Sequence, residues 1–89
     1  MIVTVLSRPG CHLCEEAITE LEAFRASRET AGEPGFSVEI VDIESDDALH
    51  REYLERIPVI RFGEAIVSEF SFDAEALESI LQGQGRQAG

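Results

Sequence analysis

An α/β fold with a four-stranded mixed sheet flanked by three helices, in the order β-α-β-α-β-β-α, is predicted by three features of this 89-residue chain. The apolar run Ile2-Val3-Thr4-Val5-Leu6 leads directly into a helical pattern that opens on Cys11-His12-Leu13-Cys14. A second strand-like segment follows within about forty residues, the span of a right-handed βαβ unit with parallel strands. Finally, Ile57-Pro58 ends a short helix and opens a hairpin, because a residue before proline is pushed out of the helical region.

Each element has its own signal. Residues 2–6 are apolar almost throughout, as in a strand buried on both faces, which places it centrally. From Cys14 to Arg28, Ala17, Ile18, Leu21 and Phe24 recur at helical spacing while Glu15, Glu16, Glu20, Glu22 and Arg25 take the other faces. Gly32-Glu33-Pro34-Gly35 breaks this helix. Phe36, Val38 and Ile40 then alternate with Ser37 and Glu39, with Val41 and Ile43 beyond, as the second strand. Ser45 is the expected cap of a short helix carrying Asp46 and Asp47 in its first turn and Leu49, Tyr53 and Leu54 on its apolar stripe. Val59-Ile60-Arg61-Phe62 and Ala65-Ile66-Val67, joined at Gly63-Glu64, form an antiparallel hairpin. Asp73 caps a last helix through Ala76, Leu77, Ile80 and Leu81. One domain, residues 1–82, is expected, with 83–89 (Gly-Gln-Gly-Arg-Gln-Ala-Gly) as a flexible tail that has nothing to bury.

Seven basic residues against eighteen acidic ones give a formal net charge of −11, which argues against nucleic acid and anionic membranes as partners. No stretch approaches the roughly 18 apolar residues of a membrane span, and no basic leader precedes the first strand. The expectation is a cytoplasmic monomer.

Cys11 and Cys14 are the only cysteines. Three positions apart at a helix start they share one face, so either thiol is within reach of a mixed disulfide on the other. Unpaired N–H groups of the first helical turn favour negative charge there, which makes Cys11 the expected nucleophile and Cys14 the resolving thiol. A zinc site wants four ligands, and only His12 and His50 remain as nitrogen donors, neither at finger-type spacing, so no metal is expected. A purely structural disulfide closing so short a loop restrains little of the unfolded chain. His12 is a candidate for protonating a leaving thiol or, when charged, for stabilising the thiolate, against the plainer role of an exposed residue at a helix start.

The strand leading to Arg8-Pro9-Gly10-Cys11-His12-Leu13-Cys14, the segment Asp42-Ile43-Glu44-Ser45-Asp46 and the segment Arg56-Ile57-Pro58-Val59 together resemble the thioredoxin superfamily. Within it, the chain is most similar to the glutaredoxins and to small glutaredoxin-like proteins, over about residues 1–82. The resemblance implies a thioredoxin/glutaredoxin fold, a cis bond at Ile57-Pro58 beside the dithiol, and pairing of the Ile57 backbone with a bound peptide or glutathione. Pro58 would then serve binding more than packing. It also matches Arg8 to a basic residue that glutaredoxins place near the thiolate and the glutathione carboxylate.

Two features depart from true glutaredoxins. His12 and Leu13 stand where proline and tyrosine are common, and Glu69-Phe70-Ser71-Phe72-Asp73 stands where a Gly-Gly-x-Asp segment receives the γ-glutamyl group. Without glycine, the backbone there is expected to keep the ligand at a distance. The resulting expectation is a thiol–disulfide oxidoreductase with Cys11 and Cys14 catalytic and Arg8, His12, Ile57 and Pro58 contacting substrate, with no cofactor. Its partners would be a disulfide-containing protein substrate and a thioredoxin-type or glutathione reductant. The alternatives are a redox-inactive interaction domain of the same fold and a glutathione-dependent iron–sulfur carrier.

Overall fold

The computed structural model of the protein describes residues 1–88, with side chains through Gly83. Four strands pair in the spatial order β2-β1-β3-β4, with β1 being Ile2–Ser7, β2 Ser37–Asp42, β3 Val59–Phe62 and β4 Ala65–Glu69. β1 runs parallel to β2, from Ile2 opposite Ser37 to Ser7 opposite Asp42, and antiparallel to β3, with Leu6 opposite Val59. β3 and β4 form the expected antiparallel hairpin, with a register shift at Ile60/Arg61. The helices are α1 (His12–Thr30), α2 (Asp47–Tyr53) and α3 (Ala74–Ala88), so the predicted element order is observed.

The two faces of the sheet bury separate clusters. On one, Val3, Val5 and Ile60 meet Ala17 and Leu21 of α1 and Leu77 and Leu81 of α3, with Phe36 closing the edge. On the other, Leu6 and Val59 meet Ile43, Ile57 and Cys14, with Leu49 and Tyr53 of α2 against them. The alternation of Val5 with Leu6 and of Val59 with Ile60 across these clusters is the period-two pattern of strands covered on both sides. β2 is an edge strand, and the first cluster covers Phe36 and Val38 but leaves Ile40 53% exposed.

Boundaries differ from the sequence reading at α2 and α3. The cap of α2 is Asp46, whose Oδ1 accepts from the N–H groups of Ala48 (2.8 Å) and Leu49 (3.1 Å). Ser45 belongs to a 3-10 turn, Ile43–Ser45, and its hydroxyl donates to the Asp42 carbonyl at 2.7 Å, so it is not available as a cap. α1 opens at the Cys-x-x-Cys segment as expected, with Cys11 as its cap. Helical backbone in α3 continues to Ala88, into the segment expected as a tail, where no proline interrupts it and glycine costs only about 1 kcal/mol per position. Gly89 lies outside the described residues.

Arg28, at the end of α1, is nearly buried, with 7% exposure. Its guanidinium donates to Glu78 of α3 (2.8 Å) and to the Pro34 carbonyl (2.9 and 3.1 Å), and Glu33 lies 3.2 Å away. One cation thus ties α1, the 31–36 connection and α3 together. Hydrogen bonds to a charged, buried group are each worth about 1.5–3 kcal/mol, so Arg28→Ala is expected to lower unfolding stability by at least about 2 kcal/mol in urea titrations. Glu33→Ala, which touches only a half-exposed carboxylate, should change it by less than about 1 kcal/mol.

Candidate dithiol site

The turn before α1 delivers the first cysteine. Arg8-Pro9-Gly10-Cys11 closes with the Cys11 N–H donating to the Arg8 carbonyl at 3.3 Å. Proline at its second position and Gly10 at φ 76° at its third are the residues a type II turn requires. Cys11 is then the N-cap of α1, with extended φ −86° and ψ 108°, and its Sγ accepts the N–H of Cys14 at 3.2 Å. A cysteine sulfur thus occupies the place usually filled by a serine or aspartate oxygen.

The two sulfurs are joined as the Cys11–Cys14 disulfide, across a Cα–Cα distance of 5.2 Å. Their environments differ. Cys11 is half-buried at the rim of the second cluster, whereas Cys14 is 1% exposed inside it, among Leu6, Ile43, Ile57 and Val59. The same cluster therefore holds both the dithiol and the loop before β3.

That loop carries the cis bond Ile57-Pro58, as the resemblance implied. Pro58 itself is fully buried. The Ile57 N–H donates to the Tyr53 carbonyl at 3.1 Å at the end of α2, so this N–H is not available for strand-like pairing. Arg56 braces the loop: its guanidinium lies 4.9 Å from the Tyr53 ring centre and bonds to Glu69 and Glu52. The hydrogen bond to Glu69 is the main reason that the Arg56 guanidinium titrates above its usual range.

The remaining site residues of the sequence reading lie at the periphery. Arg8 faces Glu44, with Nε 3.9 Å from Oε2 and about half its side chain in solvent. His12 is 81% exposed and its Nε2 lies 3.1 Å from Oε1 of Glu16, one turn along α1.

One residue escaped the sequence reading. Phe70 adopts φ 71°, the left-handed conformation that glycine favours, and the residue is 54% exposed. The absence of glycine from residues 69–73 therefore did not mean the absence of glycine-like backbone. The conformation costs about 1–2 kcal/mol. It is held by the Phe70 N–H, which lies 2.8 Å from the Pro58 carbonyl and 3.3 Å from that of Arg56. On the far side Phe72 stacks edge-on against Phe24, with ring centres 5.7 Å apart, and Asp73 accepts from the Ala76 N–H to start α3. No local sequence signal marks Phe70, because the bonds that hold it come from the cis-proline loop.

A central mixed sheet, helices on both faces, a Cys-x-x-Cys pair capping α1 and a cis-proline beside it define a thioredoxin-fold protein. Thioredoxin 1 from Thermosipho africanus superposes with a TM-score of 0.59 over 96% of this chain and 99% of its own, at 12% identity. Residues 2–82 match the family described as Glutaredoxin-like domain (DUF836), and the chain belongs to that family. Protein Ne2328 from Nitrosomonas europaea, solved by NMR, is 28% identical, with a TM-score of 0.71 over 88% of this chain and 87% of its own. The X. campestris structural genomics target XcR50, solved by X-ray diffraction, is 32% identical, with a TM-score of 0.64 over 91% of this chain and 96% of its own. No curated protein matches the chain.

The asymmetry of the pair predicts an order of labelling. After reduction, iodoacetamide should modify Cys11 first, because Cys14 is enclosed by the second cluster. Peptide mass analysis of briefly alkylated protein reads this out, and faster modification of Cys14 would reverse the assignment.

Proposed function

We propose that the protein is a thiol–disulfide oxidoreductase in which Cys11 is the nucleophile and Cys14 the resolving thiol. The observation that carries the reading is the Cys14 N–H directed at the Cys11 sulfur from the first turn of α1, with Cys14 itself buried one turn in. In the reduced protein the same N–H stabilises a Cys11 thiolate. A hydrogen bond to a charged group is worth about 1.5–3 kcal/mol. The opposing Glu15 and Glu16 are exposed, and repulsion between unit charges through water is only about 1 kcal/mol at 4 Å. The backbone term prevails.

The chemistry follows from the two environments. The Cys11 thiolate attacks one sulfur of a substrate disulfide, forming a Cys11–substrate bond and expelling the other substrate sulfur as a thiolate that takes a proton from solvent. Cys14, deprotonated in turn, attacks Cys11 Sγ. The mixed disulfide breaks, the second substrate thiol leaves, and the Cys11–Cys14 disulfide forms. Two electrons have passed to the substrate, and a dithiol reductant returns them by the same steps. Within this scheme the Ile57 carbonyl is the group that would align an extended substrate strand.

The reductant is proposed to be a protein dithiol of the thioredoxin type and not glutathione. The Phe70 N–H is already engaged with Pro58 and Arg56, so it is not open to a ligand carboxylate. The net charge of −11 further disfavours an anionic tripeptide.

Reduction of a protein disulfide such as insulin by the reduced protein tests the reading. Cys11→Ser should abolish it, and Cys14→Ser should accumulate mixed disulfides with substrate. Failure of the reduced wild-type protein to exchange with any protein disulfide would leave only an interaction domain of this fold. In a coupled assay with glutathione and glutathione reductase, turnover of a small mixed disulfide should be poor at low salt. Robust turnover there would restore the glutaredoxin reading.

A further inference from the structure

The exposed side of the dithiol is not uniformly polar. Leu13, directly before Cys14, is 53% exposed, and Phe70 across from it is 54% exposed. With Ala17 and Phe72 they line a cleft of about 40 Å³, whose remaining walls include Glu16 and Glu20. A water occupies about 30 Å³ in the liquid, so this cleft holds no ligand of its own and is a contact patch. Phe70 is held outward beside the reactive pair in a costly conformation by bonds to the cis-proline loop. An exposed aromatic fixed in this way loses little further freedom when a partner covers it.

The charges around the patch indicate what covers it. Glu16 and Glu20 lie one turn apart on α1, Glu16 pairs only with the exposed His12, and Glu20 has no ion pair among the described residues. The cations of the neighbourhood are engaged elsewhere, Arg8 with Glu44 and Arg56 with Glu69 and Glu52. An arriving anion finds no unpaired cation, whereas an arriving cation finds surplus carboxylate.

We propose that the Leu13–Phe70 patch is the docking surface for a cationic polypeptide. An extended segment of that partner lays an aliphatic or aromatic side chain over Leu13 and Phe70 and sets a lysine or arginine against Glu16 and Glu20. The partner's exchanging cysteine then meets Cys11. This deepens the oxidoreductase reading and rests on it for the chemistry, but the docking itself is measurable without turnover.

The test is a titration of the full chain, followed by amide chemical shifts, with a short redox-inert peptide carrying phenylalanine, serine in place of the exchanging cysteine, and flanking lysines. A twin peptide carries glutamate in place of lysine. The lysine peptide should bind about tenfold more tightly at low salt, the product of two rim ion pairs, with shifts centred on Leu13, Glu16, Glu20 and Phe70. That advantage should shrink at about 1 M salt, where the screening length is about 3 Å. Phe70→Gly, which keeps the positive φ without a side chain, should weaken binding of both peptides, and Glu16→Gln with Glu20→Gln should remove the preference for lysine. Equal affinities, shifts centred elsewhere, or shifts that depend on protein concentration without peptide, which would assign the patch to a second copy of the chain, would each overturn the proposal. Selective docking by a protein that reduces no disulfide would sink the oxidoreductase reading alone, whereas disulfide reduction without charge selectivity would sink the docking surface alone.

Discussion

The burial of Cys14 is the constraint on which the rest of the structure depends. Its side chain is enclosed by Leu6 of β1, Ile43 of the 3-10 turn, Ile57 of the cis-proline loop and Val59 of β3. Three separate stretches of the chain, β1, the 3-10 turn and residues 57–59, therefore converge on one sulfur. Because that sulfur is fixed from the core side, its partner one turn earlier is held at the rim, where the first turn of α1 presents the Cys14 N–H to it. A dithiol resting on a surface helix alone would have no such asymmetry, and nothing would separate an attacking from a resolving thiol.

Around this anchor, backbone groups do most of the positioning. The type II turn at Pro9-Gly10 sets the entry to α1, the Tyr53 carbonyl holds the Ile57 N–H, and the Phe70 N–H reaches back to the Pro58 carbonyl. These bonds link the ends of β1, α2 and β4 at one end of the sheet. Charged side chains act mainly as braces, as Arg56 does between Tyr53 and Glu69 and as Arg28 does at the opposite end of α1. The consequence for recognition is a site whose cations are occupied internally, so that its outward field is set by α1 carboxylates.

Much of this was legible in the sequence because it depends on local rules. The apolar run before Cys11, the helical spacing from Ala17 to Phe24, the Gly-Pro break at 32–35 and the proline at 58 each determine backbone within a few residues of themselves. The cap of α2 was misplaced by one residue because Ser45 and Asp46 are both good caps, and the choice turned on a hydrogen bond from Ser45 to Asp42. Phe70 was illegible for a deeper reason. Its left-handed backbone runs against local preference and is imposed by carbonyls of residues 56 and 58, which only the folded chain brings near. The burial of Pro58 was illegible for a similar reason, since whether a proline beside a dithiol faces solvent or core is decided by packing.

The central claim is that the Cys11–Cys14 bond is a working redox couple and not a staple, and an equilibrium titration against defined dithiol buffers tests it most directly. The claim predicts one two-electron transition within the span of known dithiol oxidoreductases, roughly −120 to −270 mV. A potential below about −300 mV, in the range of structural disulfides that resist the glutathione pool, would contradict it.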